Sequence, residues 1–506
     1  MKLNQLKTIF ASVKGGLLLM FGFALSILAS SCNDFLTMTP RGEKVVRTAE
    51  DYRDVMASFV KMMSTPNCPQ QGPLFGTDYY AVPYFDISKT LSIFSQEMVL
   101  NDGQYSDYYD MKSNSYNTAG HTMLAWQASD GETWNQYYRM LGPLNLILSD
   151  IDKKEISDIN VRNMVVGEAL VWRAYGYYKL LQYYSPYKDG RLGVPMFLDP
   201  TDNAGNAMPA RNTQAEVYAQ IQADLSGALQ LLDATPTQPW NFGYRKDFIY
   251  AFLADMFWYK ADGGAAEPSD WENALKYAQL AMRGRTLSAN TSEALGELFD
   301  CSPSVMNRVF LNDEFFLRIA DGSEAQKLNF MSSYYTRVTN GNVEKEYLTL
   351  YTDNDIRKTA YITGAGRVAK YNLLSVNYDR GFGAYMPFRL ANCFLIAAEA
   401  AVHTGDLQTA GNLLSAFRQA RYTEGGQALP INVDAFLGEI KMERKKEFFA
   451  EIDARWIAMK RYEETVTRQV DGKTYTLKGD DYRYTFPIPY SESSTNKAIE
   501  QNPGWN

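Results

Sequence analysis

The chain of 506 residues is poor in the side chains that most catalytic and metal sites use, with two histidines and four cysteines. His121 and His403 are too few for a histidine-based metal site or a serine–histidine–aspartate triad. No CxxC motif occurs, and the cysteines stand far apart: Cys32, Cys68, Cys301 and Cys393. We expect the last three to be small buried hydrophobes, and we predict neither a metal nor a cofactor.

The chain also lacks a run of lysine and arginine, and its net charge is −8. That balance argues against a nucleic-acid partner. Gly263-Gly264 and Gly425-Gly426 are isolated turns without the spacing of a phosphate-binding loop, so no nucleotide is predicted.

One long apolar segment is present, and it stands at the beginning. Three lysines come first, an uncharged stretch follows from Gly15 to Ser31, and Ala29-Ser30-Ser31 then precede Cys32. This order predicts a removable export signal over residues 1–31, and the cysteine at the cut resembles a lipoprotein lipobox. The mature chain of residues 32–506 would then be tethered to a membrane by acyl chains on Cys32. The alternative is an N-terminal anchor helix, because 17 uncharged residues are near the lower limit of a span.

Helical periodicity dominates two stretches, within about 130–285 and 386–463, and the predicted helices come in pairs. In the clearest pair, small residues line the first helix, Gly405-Asp406 make a tight turn, and a helix of similar length follows. Such hairpins resemble tetratricopeptide repeats, here degenerate and separated by long insertions. A last amphipathic helix is predicted from about Val433 to Glu463.

Two stretches, within about 64–130 and 286–386, are rich in Gly, Asn, Asp, Ser and Tyr. We expect loop-rich regions with short strands there, for example at Asn312–Ile319 and Tyr347–Tyr351. Long irregular segments in a compact domain usually carry function. The predicted fold is therefore mostly α, a helical scaffold that holds two loop-rich regions in a single domain.

The predicted last helix carries Arg444, Glu447, Glu451 and Arg455 at spacings of three and four, on one helix stripe. Two neighbouring carboxylates can couple and act as acid and base in glycoside hydrolysis. The flanking arginines instead keep both carboxylates ionised, which predicts a structural ion-pair network.

Ordered motifs along nearly the whole chain resemble the SusD/RagB family of nutrient-binding outer-membrane lipoproteins. They are Cys32-Asn33-Asp34-Phe35-Leu36, Trp134, Tyr138, Asn145, Glu168, Arg173, Gly193-Val194-Pro195, Arg211, Asp355, Arg357, Arg389, Ala398-Glu399-Ala400, Arg418, Arg421, Glu443-Arg444, Glu447, Phe486-Pro487-Ile488-Pro489 and Gln501-Asn502-Pro503-Gly504-Trp505. Ile452 stands where the family usually has glycine, and Arg455 lies one place further on than usual.

The resemblance implies a fold of about four tetratricopeptide-like hairpins packed against an irregular half that bears the ligand site. It implies a surface lipoprotein that captures nutrient, commonly glycan fragments, and sits as a hinged lid on a SusC-like TonB-dependent outer-membrane transporter. No catalysis is implied.

Ligand contacts are expected among the aromatic and polar residues of the loop-rich regions. Tyrosine suits sugars because its ring is apolar on the face and polar at the edge, while carboxylates and guanidinium groups pair with hydroxyls. The candidates are Asp78, Tyr79, Tyr80, Tyr84, Tyr108, Tyr109, Trp126, Tyr335, Arg337 and Arg380. Tyrosines on helices, such as Tyr175, Tyr177, Tyr178 and Tyr183, are expected in the core.

Three other functions stay open at this point. The first is capture of oligopeptides, since some members of the family take them. The second is a glycoside hydrolase. The third is a helical scaffold that binds protein peptides, as many helical repeats do.

Overall fold

The computed structural model describes residues 46–63, 91, 94–97, 108–110, 115–117, 126, 131–200, 208–238, 241–299, 313–317, 319–320, 345–364, 366, 368–370, 384–385, 388–424, 428–451, 453–470 and 473–505. Thr48–Asn506 form one unit by contact clustering. Met1–Arg47 are assigned to a separate unit, and the predicted signal and Cys32 lie outside the described residues.

The described part of the chain is mostly helical. Its helices are α1 Ala49–Met63, α2 Gly131–Asp150, α3 Ile159–Tyr184, α4 Gln214–Ala234, α5 Lys246–Lys260, α6 Asp270–Met282, α7 Ser292–Phe299, α8 Lys345–Leu350, α9 Arg357–Tyr361, α10 Leu390–His403, α11 Leu407–Gln419, α12 Val433–Glu447, α13 Ala454–Arg461 and α14 Tyr490–Thr495. Single 3₁₀ turns lie at Ile151–Lys153 and Tyr482–Tyr484.

Successive helices pack as antiparallel pairs, as the periodicity predicts. In the described residues the most extensive helix contacts are those of α3 with α4, α5 with α6, α10 with α6, and α10 with α11. Helix α2 packs on α3, and α10 also contacts α12, so α10 joins the α5–α6 hairpin to α11 and α12. The prediction of a mostly α fold built from helical hairpins is confirmed.

The α10–α11 pair shows how the sequence makes such a hairpin. Gly405 has a φ of +83°, a left-handed conformation that glycine adopts without cost. The side chain of Asp406 then accepts a hydrogen bond from the Thr409 N–H and caps α11. Ala398 and Ala401 are fully buried, which lets neighbouring helices approach closely.

Helix α3 is the central element, and most of its 26 residues are buried. Tyr175, Tyr177, Tyr178 and Tyr183 all lie in the core, as expected for helical tyrosines. Arg173 of α3 donates two hydrogen bonds to the carboxylate of Asp224 in α4, at 2.6 and 2.8 Å. A bidentate bond of this kind fixes the two helices in one register.

The strands of the described residues are short and form two-stranded antiparallel pairs. They are β1 Tyr108–Asp110 with β2 Ser115–Asn117, β3 Ile319–Ala320 with β4 Ala384–Tyr385, and β5 Val466–Val470 with β6 Lys473–Leu477. The β5–β6 hairpin was not predicted. The strand predicted at Tyr347–Tyr351 is wrong, because Lys345–Leu350 form helix α8.

The single helix predicted from Val433 to Glu463 is also wrong. Helix α12 ends at Glu447 and α13 begins at Ala454. Between them Ala450 has a φ of +60°, which is incompatible with a continuing right-handed helix.

Two further sequence predictions concern cysteine and the membrane. Cys393 is a free, buried cysteine, as predicted, whereas Cys68 and Cys301 lie outside the described residues. Within the described ranges, the structure contains no helix with the length and apolar character of a membrane span.

Candidate functional site

Charged side chains meet in the interior where the second loop-rich region packs against α10, α11 and α12. We call this group the central charge cluster, and its members are Glu314, Asp355, Arg357, Lys370, Arg389, Arg418, Arg421, Glu443, Glu447 and Glu451. Arg357, Arg389 and Arg421 are among the largest fully buried side chains. Buried charges are tolerated only where they are paired and hydrogen-bonded.

Glu447 is the shared partner at the middle of the cluster. Its carboxylate accepts from Arg421 at 3.0 and 3.1 Å and from Arg389 at 3.1 Å, and Arg357 lies 3.5 Å away. Burial alone would raise the pKa of Glu447, but the three guanidinium charges outweigh it and hold that pKa well below its usual range. The carboxylate is therefore ionised at neutral pH.

The cluster ties the second loop-rich region to the scaffold. Glu314 accepts from Arg421 at 2.8 Å and from the Ala289 N–H at 2.8 Å. Asp355 accepts from Arg357, which also donates to Glu443 of α12 at 2.6 Å. The Arg421–Glu314 and Arg357–Glu443 bonds join the region within 286–386 to the end of α11 and to α12, and the other two bonds hold the region together internally.

The break between α12 and α13 supplies further docking points. A helix end leaves backbone groups without intrahelical partners. Here Lys370 donates to the carbonyls of Glu447 and Phe449, both at 2.9 Å, and to the carboxylate of Glu451 at 2.6 Å. Burial lowers the pKa of Lys370 to about 8, although Glu451 opposes the shift.

The first loop-rich region also contacts the break between α12 and α13, through Glu97. The carboxylate of Glu97 is fully buried and accepts from the Ala450 N–H at 2.9 Å and from the Ser95 hydroxyl at 2.8 Å. Burial raises the pKa of Glu97 to about 7, while these hydrogen bonds and the charges of Arg455 and Lys370 oppose the shift. Both loop-rich regions are thus fastened to the six residues between α12 and α13.

The predicted stripe of Arg444, Glu447, Glu451 and Arg455 is only partly right. A structural ion-pair network exists, but the four side chains do not pair with one another along one helix. Arg444 stacks 4.2 Å from the Trp258 ring centroid, and Arg455 donates to Glu464. Each of the four side chains finds its partners in other segments. The reason is that the helix ends at Glu447, so spacings of three and four residues no longer place Glu451 and Arg455 on the same helix face as Arg444 and Glu447.

Most candidate ligand contacts lie outside the described residues. These are Asp78, Tyr79, Tyr80, Tyr84, Tyr335, Arg337 and Arg380. Tyr108 and Tyr109 are in strand β1, where Tyr109 is opposite Tyr116 of β2 in the backbone register. The structure therefore brings no pair of candidate side chains together in its described part.

Trp126 is described, and it is fully buried. Its indole N–H donates to the Phe94 carbonyl at 2.9 Å, and the Arg468 guanidinium lies 4.4 Å from the ring centroid. Phe94 in turn packs on Trp456 of α13 with ring centroids 5.3 Å apart. Trp126 accordingly acts as a packing residue for its loop, and a ring this deeply buried leaves no face open to a sugar.

Sequence reasoning missed the groups that hold the loops, above all Glu97 and Glu314. An isolated acid in a loop carries no local signal when its partner is distant in sequence, as Ala450 is from Glu97 (353 residues) and Arg421 is from Glu314 (107 residues). Among the residues that the structure describes, no three His, Cys, Asp or Glu side chains are grouped as a metal site would require. His403 instead stacks on Trp271, with ring centroids 3.9 Å apart.

Two family profiles match successive parts of the chain. Residues 85–257 match the profile of a SusD-like family described as starch-binding and associating with the outer membrane. Residues 319–505 match the profile of the SusD family. No curated protein matches the chain.

Solved structures share the fold. A SusD-like carbohydrate binding protein from Bacteroides vulgatus is 20% identical, with a TM-score of 0.64, over 90% of this chain and 98% of that one. SusD superfamily proteins from Bacteroides thetaiotaomicron and Bacteroides fragilis are 18% and 16% identical, with TM-scores of 0.68 and 0.69. Each alignment covers 90% of this chain and 100% of the other.

These likenesses define the fold class as a SusD-like helical scaffold with tetratricopeptide-like hairpins. The chain belongs to the SusD/RagB family, because the two profile matches follow one another and together span most of it. The family predicted from the ordered motifs is confirmed.

Replacing Glu447 by glutamine tests the central charge cluster. The change keeps the shape of the side chain but leaves three buried guanidinium groups without their shared carboxylate, so we expect a loss of about 3–5 kcal/mol in the free energy of unfolding. Urea denaturation measures it. The matched control is Glu439→Gln on the same helix, where the carboxylate is 48% exposed and also bonds an arginine; there we expect about 1 kcal/mol or less. Equal losses in the two variants would contradict the proposed role of the cluster.

Replacing Glu97 by glutamine tests the docking of the first loop-rich region. The folded protein holds a proton on Glu97 up to a pKa of about 7, whereas the unfolded chain releases it near 4.5. The stability from this group is therefore fully present below pH 4.5 and is lost as pH rises through 7. Between pH 4.5 and 8 the wild type should lose about 3 kcal/mol relative to the variant. Parallel stability curves for the two proteins, measured by urea denaturation across this range, would refute the assignment.

Proposed function

We propose that the protein is a non-catalytic binding protein for glycans at the bacterial surface, which passes its ligand to a TonB-dependent outer-membrane transporter. The observation that carries the proposal is membership of the SusD/RagB family, together with a shared fold over nine-tenths of the chain. The matched profile described as starch-binding, and the carbohydrate-binding relative from Bacteroides vulgatus, favour a glycan as the ligand class.

The chemistry of the central charge cluster supports binding over hydrolysis. A glycosidase needs one carboxylic acid whose pKa is raised, so that it can protonate the leaving oxygen. Glu447, the acid that the sequence pattern brings to attention, is fully buried and held ionised by three arginines. It serves as a structural anion and offers no proton to a ligand.

The ligand site proper is proposed on the loop-rich regions, at the aromatic and polar residues predicted from the sequence other than the buried Trp126. A sugar ring presents C–H groups on its faces and hydroxyls at its rim, so tyrosine rings supply the stacking area. Asp78, Arg337 and Arg380 would pair with hydroxyls and set selectivity. The described anchors at Glu97, Glu314 and Asp355 fasten other parts of these two regions to the scaffold, and a fixed base would lower the entropy lost on binding.

The partner and the anchor are part of the same proposal. An acylated Cys32 would hold the protein at the membrane, and the family profile associated with the outer membrane is consistent with that location. We expect a SusC-like transporter to copurify with the protein when it is extracted in mild detergent, and a Cys32→Ala variant to be released from the membrane fraction.

The lipid anchor has a direct test. Cells fed a radioactive fatty acid should label the wild-type protein and leave Cys32→Ala unlabelled, because the acyl chains attach at that cysteine. Cys68→Ala is the matched control and should label like the wild type. Undiminished labelling of Cys32→Ala would exclude the predicted lipid site.

Alanine at Tyr335 or at Tyr109 tests the loop-borne site. If the ring stacks on a sugar, its loss should weaken binding by about 1–3 kcal/mol in calorimetric titration with the best glycan found on an array. Tyr490, which is 72% exposed on the scaffold helix α14, supplies the control Tyr490→Ala with unchanged affinity.

Unchanged affinity in both loop variants would remove these two residues from the site. Calorimetric titration with a peptide pool tests whether the ligand is a peptide. Binding heat with peptides and none with glycans would replace the glycan proposal by peptide capture. Mass spectrometry of the recovered glycan checks for cleavage, and shortened products from the purified protein would contradict a binding role.

A further inference from the structure

A cleft of about 260 Å³ lies on the scaffold, where four segments of the chain meet. They are the loop that follows α3, the end of α13, the segment after β6 and the C-terminal residues. We propose that this cleft is a second carbohydrate site, which takes a single neutral hexose unit. It uses none of the loop residues assigned above, so it stands or falls independently of them.

The cleft has an aromatic wall that is fixed before any ligand arrives. The Tyr482 side chain is 36% exposed. Gly504 packs against its ring so closely that an added Cβ would lie 2.3 Å from the ring, and Trp505 meets it edge-on at 5.2 Å between centroids. A ring held by its neighbours loses little rotamer freedom when a sugar stacks on it.

Polar groups of both kinds line the cleft near that ring. Lys188 lies 3.6 Å from the Glu463 carboxylate and also donates to the Asp262 carbonyl at 2.6 Å. Asp480 is exposed and forms no ion pair with another residue in the described part of the chain. Each hydroxyl of a sugar both donates and accepts, so neighbouring hydroxyls match an ammonium beside a carboxylate. Hydrogen bonds to charged groups are also the stronger kind.

The inner wall of the cleft is closed and polar. Lys460 is buried, and its amino group donates to the carbonyls of Gln182 and Ser185, both at 2.8 Å. Tyr187, also buried, donates to the Tyr259 carbonyl at 2.9 Å. Since these groups are held by the scaffold, the cleft keeps its shape. Its volume of about 260 Å³ accommodates about one sugar ring and is below the range usual for sites of drug-sized ligands.

The charge balance of the cleft selects against acidic sugars. Four carboxylates line it, those of Asp189, Glu463, Asp480 and Asp481, against the two lysines. Asp481 is occupied by Arg483, at 2.6 Å. A uronic acid would place another carboxylate near Asp480 and Glu463, where like charges repel. The expected order is a neutral hexose first and glucuronate last.

The test is saturation-transfer NMR on the full chain, purified in detergent, with glucose, galactose, mannose and glucuronate as separate probes. We expect at least one neutral hexose to bind, and glucuronate to bind more weakly. Asp480→Lys should weaken hexose binding at least tenfold. This residue is exposed, so the variant should fold, and thermal unfolding checks that it does. Tyr482→Ala should weaken binding to a similar degree, although its loss also removes a contact of the C-terminal segment.

The controls separate this cleft from the proposed loop site. Tyr490→Ala should keep the hexose signal at its wild-type strength, and in a Tyr109→Ala/Tyr335→Ala background the Asp480→Lys change should still weaken hexose binding at least tenfold. Absence of binding by every hexose would overturn the proposal, as would equal affinity in Asp480→Lys and the wild type. A signal lost in the loop double variant and kept in Asp480→Lys would assign the hexose to the loops and equally overturn it. Glucuronate binding as tight as the neutral sugars would do the same.

Discussion

The buried carboxylate of Glu447 is the interaction on which the arrangement of the molecule depends. Three guanidinium groups, from two positions near α9 and α10 and from the end of α11, converge on it. None of these cations is stable in the interior alone, because each would have lost its water without gaining a partner. The arginines also bond to Asp355, Glu443, Glu451 and Glu314, so the buried charges support one another as a network. Through Arg357 this network joins the second loop-rich region to the scaffold.

The helix break that follows Glu447 provides backbone groups that also hold the loop-rich regions on the scaffold. A continuous helix from α12 into α13 would have used its own carbonyls and N–H groups internally. The left-handed conformation of Ala450 ends that pattern and releases groups that Lys370 and Glu97 then bind. Two segments more than 250 residues apart in sequence thus meet at one short stretch of backbone. The strained backbone at Ala450 is stabilised by the bonds to Glu97 and Lys370, which form because the helix is interrupted there.

The sequence predicts the helix pairs well. It predicts poorly the helix break after Glu447 and the contacts that hold the loop-rich regions, because these depend on residues distant in sequence. The helix pairs are encoded by local periodicity, and the turn at Gly405-Asp406 by local cap chemistry, so a single chain is enough to find them. The helix break is hidden because Arg444, Glu447, Glu451 and Arg455 keep helical spacing across it, although their partners lie elsewhere. The β5–β6 hairpin had a readable signal, the Asp471-Gly472 pair between alternating residues, which is typical of a two-residue turn. The candidate site had no such signal, because stacking on a sugar depends on how loop rings are oriented in space.

The residues that stabilise the fold differ from those proposed to bind the ligand. This explains how the chain keeps the fold of solved structures to which it is only 16–20% identical. The interior is secured by charged pairs whose geometry tolerates little change, whereas loop aromatics need only present a face to solvent. If the ligand site lies on the loops as proposed, its rings can be exchanged without changing the central charge cluster, and ligand preference can change while the scaffold is kept. The cleft beside Tyr482 differs in this respect, since its walls are also parts of the scaffold. A change at Tyr482 acts on Gly504 and Trp505 as well as on a ligand, so this cleft should vary more slowly than the loops among proteins that share the fold.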